Sequence, residues 1–276
     1  MNAYVRERLL CPVCGEKGSV TEDGRSFFCH GKKRHTYDFA RSGYLNLARA
    51  GQAGTGDSKE AVRARSAFLD ADYYLPLAEE LCRILKDYDC KSILDAGCGE
   101  GYYTDRMARG RDALGVDLSV AGVDRAARRS KQSGTDAAYT VGSLFSLPVA
   151  DESFDAVTSI FAPCAEEEFL RVLSERGILI LVGAGKEHLF GLKELLYDCP
   201  YTNPGREDLP SGMQLAEQRS LRYTVTVEGN SAVEALFSMT PYYWRTSRED
   251  HAKLASVERL TTAVDFDIFI YRKAQT

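Results

Sequence analysis

The 276-residue sequence predicts an α/β fold, a doubly wound and mainly parallel sheet of seven strands carrying a small metal-binding head on its N-terminal side. Three observations predict it. From Ile93 onward, short apolar segments alternate with helical patterns. The first of those segments runs into a glycine-rich turn, Asp95-Ala-Gly-Cys-Gly-Glu-Gly101. Ahead of everything else, Cys11, Cys14, Cys29 and His35 fall within the first 35 residues. Strand, turn and helix in repetition specify a parallel sheet wound on both faces, and clustered cysteine and histidine in a reducing compartment specify a metal.

The elements follow in order. Residues 1–44 lack helical periodicity and form the expected head. Residues 45–59 are expected to be a linker, because the stretch 50–58 (AGQAGTGDS) is small and Gly-rich. From Asp57 to Leu85 the pattern is helical, with Ala61, Ala64, Phe68 and Leu69 on one face and then Leu77, Leu81, Ile84 and Leu85 on another. Strands are expected at Ser92–Ala96, Ala113–Asp117, Ala137–Val141, Ala156–Ile160 and Gly177–Val182. Two late strands, Leu221–Val227 and Val264–Arg272, are expected to form an antiparallel edge pair, separated by helices near Ser231–Met239 and Arg248–Arg259. Residues 60–276 would thus be one domain, and the head a second whose core is separate.

Composition narrows the function classes. At 44% hydrophobic and 27% charged the chain can bury a sizeable core. It has no apolar run of about 18 residues, the length that spans a bilayer, and its charged start, MNAYVRERLL, has no signal core. A cytoplasmic protein without membrane contact is expected. The net charge of −5 is unevenly spread. Residues 1–50 hold nine Lys/Arg and five Asp/Glu, a net of +4, which leaves −9 on the rest. A basic head on an acidic body points to the head as the part that meets a polyanion.

The glycine turn carries the first chemistry. Gly97 and Gly99 let the backbone approach a ligand where a Cβ would intervene. Asp95, ahead of the first glycine, can face a cationic amino group, and Asp117, ending the next strand, can accept both hydroxyls of a ribose. A dinucleotide site would instead hold a pyrophosphate at the helix N-terminus. The D-x-G-x-G-x-G pattern suits a ligand bearing an ammonium and a sulfonium, S-adenosylmethionine. The turn after the third strand, Gly142-Ser143-Leu144, is where an adenine would be touched, with Ser143 offering a hydrogen bond.

The metal cluster carries the second. Cys11-Pro-Val-Cys14 is a knuckle, and with Cys29 and His35 it completes the four N/S ligands of a structural zinc. His35 suits the fourth place better than His30, which directly follows Cys29 and could scarcely reach the same ion. Lys32-Lys33-Arg34 sits between two of these ligands, held ready for RNA phosphates. The other cysteines read as free thiols.

These motifs together resemble the bacterial 23S rRNA (guanine-N1)-methyltransferases, the RlmA family. The resemblance rests on Cys11-Pro-Val-Cys14, His35-Thr-Tyr-Asp-Phe-Ala40, Gly43-Tyr-Leu-Asn-Leu47, Gly56-Asp-Ser58, Ala67-Phe-Leu-Asp-Ala71 and Asp95 to Thr104. It continues in Ala162-Pro-Cys164, His188-Leu189 with Leu192-Lys193, Met239-Thr-Pro241 and Trp244-Arg245, so it spans nearly the whole chain. It implies a class I, Rossmann-like methyltransferase domain, and a homodimer whose cleft takes a 23S rRNA hairpin and methylates N1 of a loop guanine. In some members that modification gives macrolide resistance. The cofactor-contacting set expected on this basis is Tyr74, Asp95, Gly97, Cys98, Gly99, Glu100, Gly101, Tyr102, Asp117, Leu118, Ser143, Leu144 and His188. Ala162, Pro163, Cys164 and His188 are expected to position the target. Cys164 reads as packing and not as a nucleophile, since N-methylation needs no covalent enzyme intermediate. No residue is identified as the general base; the run Glu166-Glu167-Glu168 reads as a helix start. Tyr242, Tyr243 and Trp244 are either core or stacking surfaces for a flipped base. A small-molecule methyltransferase is disfavoured by the head, and an inactive assembly factor by the intact Asp95, Gly97, Gly99 and Asp117.

Overall fold

The computed structural model describes residues 3–49, 51, 56–205 and 210–274. The chain opens with a one-turn helix α1 (Ala3–Arg6) and a three-stranded antiparallel sheet, β1 (Gly18–Val20), β2 (Ser26–Cys29) and β3 (Thr36–Asp38), then a short strand β4 (Leu45–Asn46). Two helices follow, α2 (Lys59–Asp70) and α3 (Leu75–Asp87). Ser58 caps α2, its hydroxyl accepting from the Ala61 amide at 3.2 Å, and Pro76 stands in the first turn of α3, where its missing N–H costs nothing. The wound region is β5 (Ser92–Ala96), α4 (Tyr102–Met107), β6 (Asp112–Asp117), α5 (Val120–Ser133), β7 (Ala138–Val141), β8 (Phe154–Ile160), α6 (Glu166–Val172), β9 (Leu173–Ala184) and α7 (Phe190–Leu196). The chain ends in β10 (Met213–Glu228), α8 (Asn230–Ser238), α9 (Arg248–Ala252) and β11 (Arg259–Lys273).

The large sheet has the order β10-β11-β9-β8-β5-β6-β7-β4. The strands from β9 to β4 run parallel; β11 is antiparallel to both of its neighbours, β9 and β10. Every residue of β5 and β7 is buried, as helices on both faces of a parallel sheet require.

Three expectations change. The sheet has eight strands and not seven, because Leu45–Asn46, expected in a linker, pairs with Thr140 and Val141 of β7. Leu45 is fully buried, and the Leu47 amide donates to Val141 at 2.8 Å. Gly56, in the same expected linker, packs directly on Ser119, which leaves no room for a side chain there; residues 52–55 lie outside the described residues. Second, the late helix ends at Ala252 and continues as a 3-10 turn over Lys253–Ser256, so Arg259 belongs to β11. The two late strands are also longer than the sequence suggests, because alternating exposure along β10 hides its apolar signal.

Third, the buried apolar residues of the head join the core of the large domain. Val5, Leu9 and Phe27 are fully buried in one cluster with Leu94, Leu114, Val149 and Phe154 of the large domain. Leu9 bridges to Val149, the Leu10 amide donates to Pro148 at 2.9 Å, and the Tyr4 hydroxyl donates to the Ser153 carbonyl at 2.6 Å. About 40 residues cannot enclose a stable core alone, and these borrow one.

Candidate functional site

The ligand atoms of Cys11, Cys14, Cys29 and His35 all lie within 4.8 Å of one another. Cys14 Sγ is 3.6 Å from Cys29 Sγ, and His35 Nδ1 is 3.6 Å from Cys11 Sγ and 3.4 Å from Cys29 Sγ. A zinc tetrahedron with metal–sulfur bonds of about 2.3 Å and a metal–nitrogen bond of about 2.0 Å has edges of roughly 3.5–3.8 Å. The four residues fit zinc and leave no open position, so the site is structural. Gly15, at φ 73°, makes the tight turn that brings Cys14 round, its amide donating to Cys11 at 2.8 Å. The His35 amide donates to Cys29 Sγ at 3.2 Å and holds that thiol low, at about 6, poised as the thiolate a metal requires. The Tyr37 hydroxyl is 3.2 Å from Cys11 Sγ, an outer contact that the sequence alone did not reveal. His30 turns away to Ser19 Oγ at 2.8 Å. Lys32, Lys33 and Arg34 are exposed, with the Arg34 guanidinium 3.8 Å from the Phe28 ring centre.

The glycine turn joins β5 to α4. Gly97, Gly99 and Gly101 all have positive φ, the left-handed region where side chains are strained. A Cβ on Gly97 would stand 2.5 Å from Ala162 Cβ, so this glycine also lets the turn after β8 close against the cradle. Gly97→Ala should therefore push the two turns apart and cost at least the ~1–2 kcal/mol of a left-handed alanine, read as a lower melting temperature together with weaker cofactor binding. Asp117 accepts from the Gly99 amide at 3.0 Å and the Ser119 amide at 2.7 Å. Burial raises its pKa. Ser143 caps the turn Leu144–Ser146 by accepting from the Phe145 amide at 3.2 Å, and Leu144 lies over Gly97.

Some expected residues turn elsewhere. Asp95 is buried under the turn, 2% exposed, and accepts from the hydroxyls of Thr104 and Thr158, the latter at 2.8 Å. Burial pushes its carboxyl up to about 6. Its direct role is thus to brace the turn. Cys98 packs with Val123, Ala126 and Tyr139. The Tyr102 hydroxyl donates to Asp72 at 3.1 Å, away from the cradle. Cys164 packs against the core. The carbonyls of Ala162 and Pro163 accept from Ser159 Oγ at 3.2 and 3.3 Å. Glu166 accepts from the Ser211 amide at 3.0 Å, and Glu168 pairs with Arg171 at 2.7 Å, so both serve structure. Trp244 is 85% exposed, whereas Tyr242 is buried.

At the carboxyl rim, His188 and Tyr74 meet, His188 Nε2 lying 3.2 Å from the Tyr74 hydroxyl. The Asp265 amide donates to His188 Nδ1 at 3.2 Å. Nδ1 is thereby an acceptor, so in neutral imidazole the proton sits on Nε2 and is donated to Tyr74. Both nitrogens are committed, and His188 in this arrangement is no proton acceptor for a substrate. Burial lowers its pKa from 6.5 to about 4. The unfolded chain binds that proton at higher pH than the folded one, so stability from His188 is complete above about 6.5 and is lost as pH falls towards 4. Thermal melts over this range should show the wild type losing stability on acidification relative to His188→Gln, with one extra proton taken up on unfolding.

Three side chains support the site in roles that no motif in the sequence assigns. Arg65, on α2, pairs with Asp57 at 2.5 Å and lies 3.7 Å from the buried Glu100, beside Gly99. Asp265 accepts from the Glu187 amide at 3.0 Å and so fastens the His188 turn. Lys193, 1% exposed, donates to the Tyr201 carbonyl at 3.0 Å and to Asn203 Oδ1 at 2.7 Å, and Asn203 in turn donates to the carbonyls of Gly185 and His188. A lysine inside an apolar helical pattern was the available signal for the last.

Comparison with known proteins agrees with this geometry. A family model for a methyltransferase domain matches residues 93–177, from the start of β5 into β9. A protein of Micromonospora griseorubida named as a 23S rRNA (guanine-N1)-methyltransferase is 31% identical, over 93% of this chain and 92% of its own. The 23S rRNA (guanine(748)-N(1))-methyltransferase of Streptomyces fradiae is 28% identical over 97% and 98%. In fold, the chain is similar to a protein of Galdieria sulphuraria named as a sarcosine dimethylglycine methyltransferase, with a TM-score of 0.50 and 15% identity over 78% of this chain and 98% of that one. The 31% identity over 93% of this chain and 92% of that relative shows that the chain belongs to the 23S rRNA (guanine-N1)-methyltransferase family.

Proposed function

We infer that this chain methylates N1 of a guanine in a hairpin loop of 23S rRNA, using S-adenosylmethionine. The observation that carries the reading is the joining of a four-ligand zinc head to a glycine cradle in a single chain that matches its relative over 93% of its length. A methyltransferase acting on a small molecule has no use for a basic head. Radiolabel transferred from S-adenosylmethionine to 23S rRNA fragments tests it; no transfer to any fragment would contradict it.

Bound S-adenosylmethionine supplies an electrophilic methyl on its sulfonium. The chain's own residues supply position, from which much of the acceleration of a methyl transfer can come. Gly97, Gly99 and Gly101 expose the backbone of the cradle, Asp117 accepts from the ribose hydroxyls while fastening Gly99 and Ser119, and Leu144 lines the adenine side. Cys98, Glu100, Tyr102 and Asp95 act from behind, bracing the turn. Arg65 balances the carboxylates of Asp57 and Glu100 beside it. The turn Phe161–Cys164 and the His188 turn form the other wall, where the target is held.

The head delivers the RNA. Lys32, Lys33 and Arg34 meet phosphates and not bases. Replacing all three by Ala should weaken RNA binding across sequences and reduce its log–log salt slope by about 0.7–0.9 per lost contact, with cofactor affinity unchanged; an unaltered slope would give the head another task. The chain works as a homodimer whose cleft receives the hairpin, which light scattering with and without RNA would test. Among the described residues no helix is long and apolar enough to cross a membrane.

A further inference from the structure

Phe161 is held where a large apolar side chain is costly. It is 48% exposed at the carboxyl end of β8. Its φ is 54°, while its amide still donates to Val182 at 3.0 Å. Among the described residues, five non-glycines have positive φ. Three are acidic and stand in exposed turns, Asp72, Asp89 and Glu152. The two apolar ones both stand on the rim, Phe161 directly after β8 and Leu189 at the start of α7, in the connection that follows the neighbouring strand β9. Strain of this kind persists only where the surroundings enforce it, and it concentrates at functional sites.

What the strained turn achieves is geometric. On one side Ala162 closes against Gly97 of the cradle. On the other, the Phe161 ring lies 5.7 Å from the His188 ring, tilted by 38°, and 5.9 Å edge-on from Phe266. His188 in turn contacts Phe266 at 5.0 Å and Tyr74 at 5.9 Å. An aromatic floor results, with its base buried and one half-open ring facing solvent beside the cradle. An aromatic ring presented in this way is what an unstacked nucleobase lies on.

We propose that Phe161 is the platform on which the target guanine stacks, and that His188 is a positioning residue whose fully committed ring holds Phe161 in place. The proposal rests on guanine in RNA being the substrate. A leucine in place of Phe161 fills a similar volume without a π-face, a tyrosine keeps the face, and a glycine removes the ring while relieving the left-handed strain.

The test compares Phe161→Leu, Phe161→Tyr and Phe161→Gly in full-length, zinc-loaded protein on a 23S rRNA hairpin fragment. Single-turnover methylation should fall by roughly 10- to 100-fold in the Leu and Gly variants, the loss expected for one base–aromatic stack, and be restored with Tyr. With 2-aminopurine replacing the guanine that the wild type methylates, fluorescence should be quenched on binding to the wild type and the Tyr variant, and not with Leu. Cofactor affinity by calorimetry should be unchanged throughout, and the Gly variant should melt no lower than the wild type. A Leu variant with the wild-type rate and quenching overturns the platform while leaving the rRNA reading intact. A wild type that methylates no 23S fragment overturns both.

Discussion

Removing zinc, or replacing Cys29 by Ala, should lower the melting temperature of the entire chain and not of the first 44 residues alone. The two parts share one apolar cluster. Val5, Leu9 and Phe27 are each fully buried in it, and burial of such a side chain contributes about 1.5–3 kcal/mol. Losing all three contacts would cost roughly 5 kcal/mol or more, a large part of the about 5–15 kcal/mol that holds a typical domain together. Strand β4 enters the sheet directly after the head, so an unfolded head also pulls on the β7 edge. Calorimetry of the zinc-loaded protein should show one transition that moves down on chelation. A body that melts at its original temperature after the zinc has gone would contradict the shared core.

Asp117→Ala should weaken S-adenosylmethionine binding by about 1.5–3 kcal/mol, the range for a hydrogen bond to a charged group, or roughly 10- to 150-fold in affinity. The loss should be at the upper end. The same carboxylate accepts from the Gly99 and Ser119 amides, so its removal loosens the cradle as well as deleting the ribose contact. Asp117→Asn keeps one acceptor oxygen and should fall between. Titration calorimetry measures both; wild-type affinity in the Ala variant would mean the ribose is held elsewhere.

The parts of the fold that were legible in the sequence are those governed by local rules. Ser92–Ala96 was placed to the residue, because a fully buried strand ending in a glycine turn has two independent signals, apolar run and left-handed requirement. The four zinc ligands were legible for a similar reason: spacing within short loops nearly decides which atoms can meet. Contacts over long sequence distance were not legible. Nothing near Leu45 announces a partner at Thr140, and nothing near Leu9 announces Val149. Asp95 shows the same limit within a motif. Its position ahead of the glycines was plain, but its direction depends on Thr158, 63 residues away. The commitment of both His188 nitrogens likewise depends on the backbone of Asp265, which no side-chain pattern encodes.

The central claim is that a zinc head and a glycine cradle act together on one rRNA guanine. Mass mapping of methylated guanines in 23S rRNA, from otherwise identical cells with the chain, without it, and with the Asp117→Ala variant, tests that claim most directly. One N1-methylguanine, in a hairpin loop, should be present with the wild-type chain, absent without it and strongly reduced with the variant. An identical guanine methylation pattern in all three would contradict it.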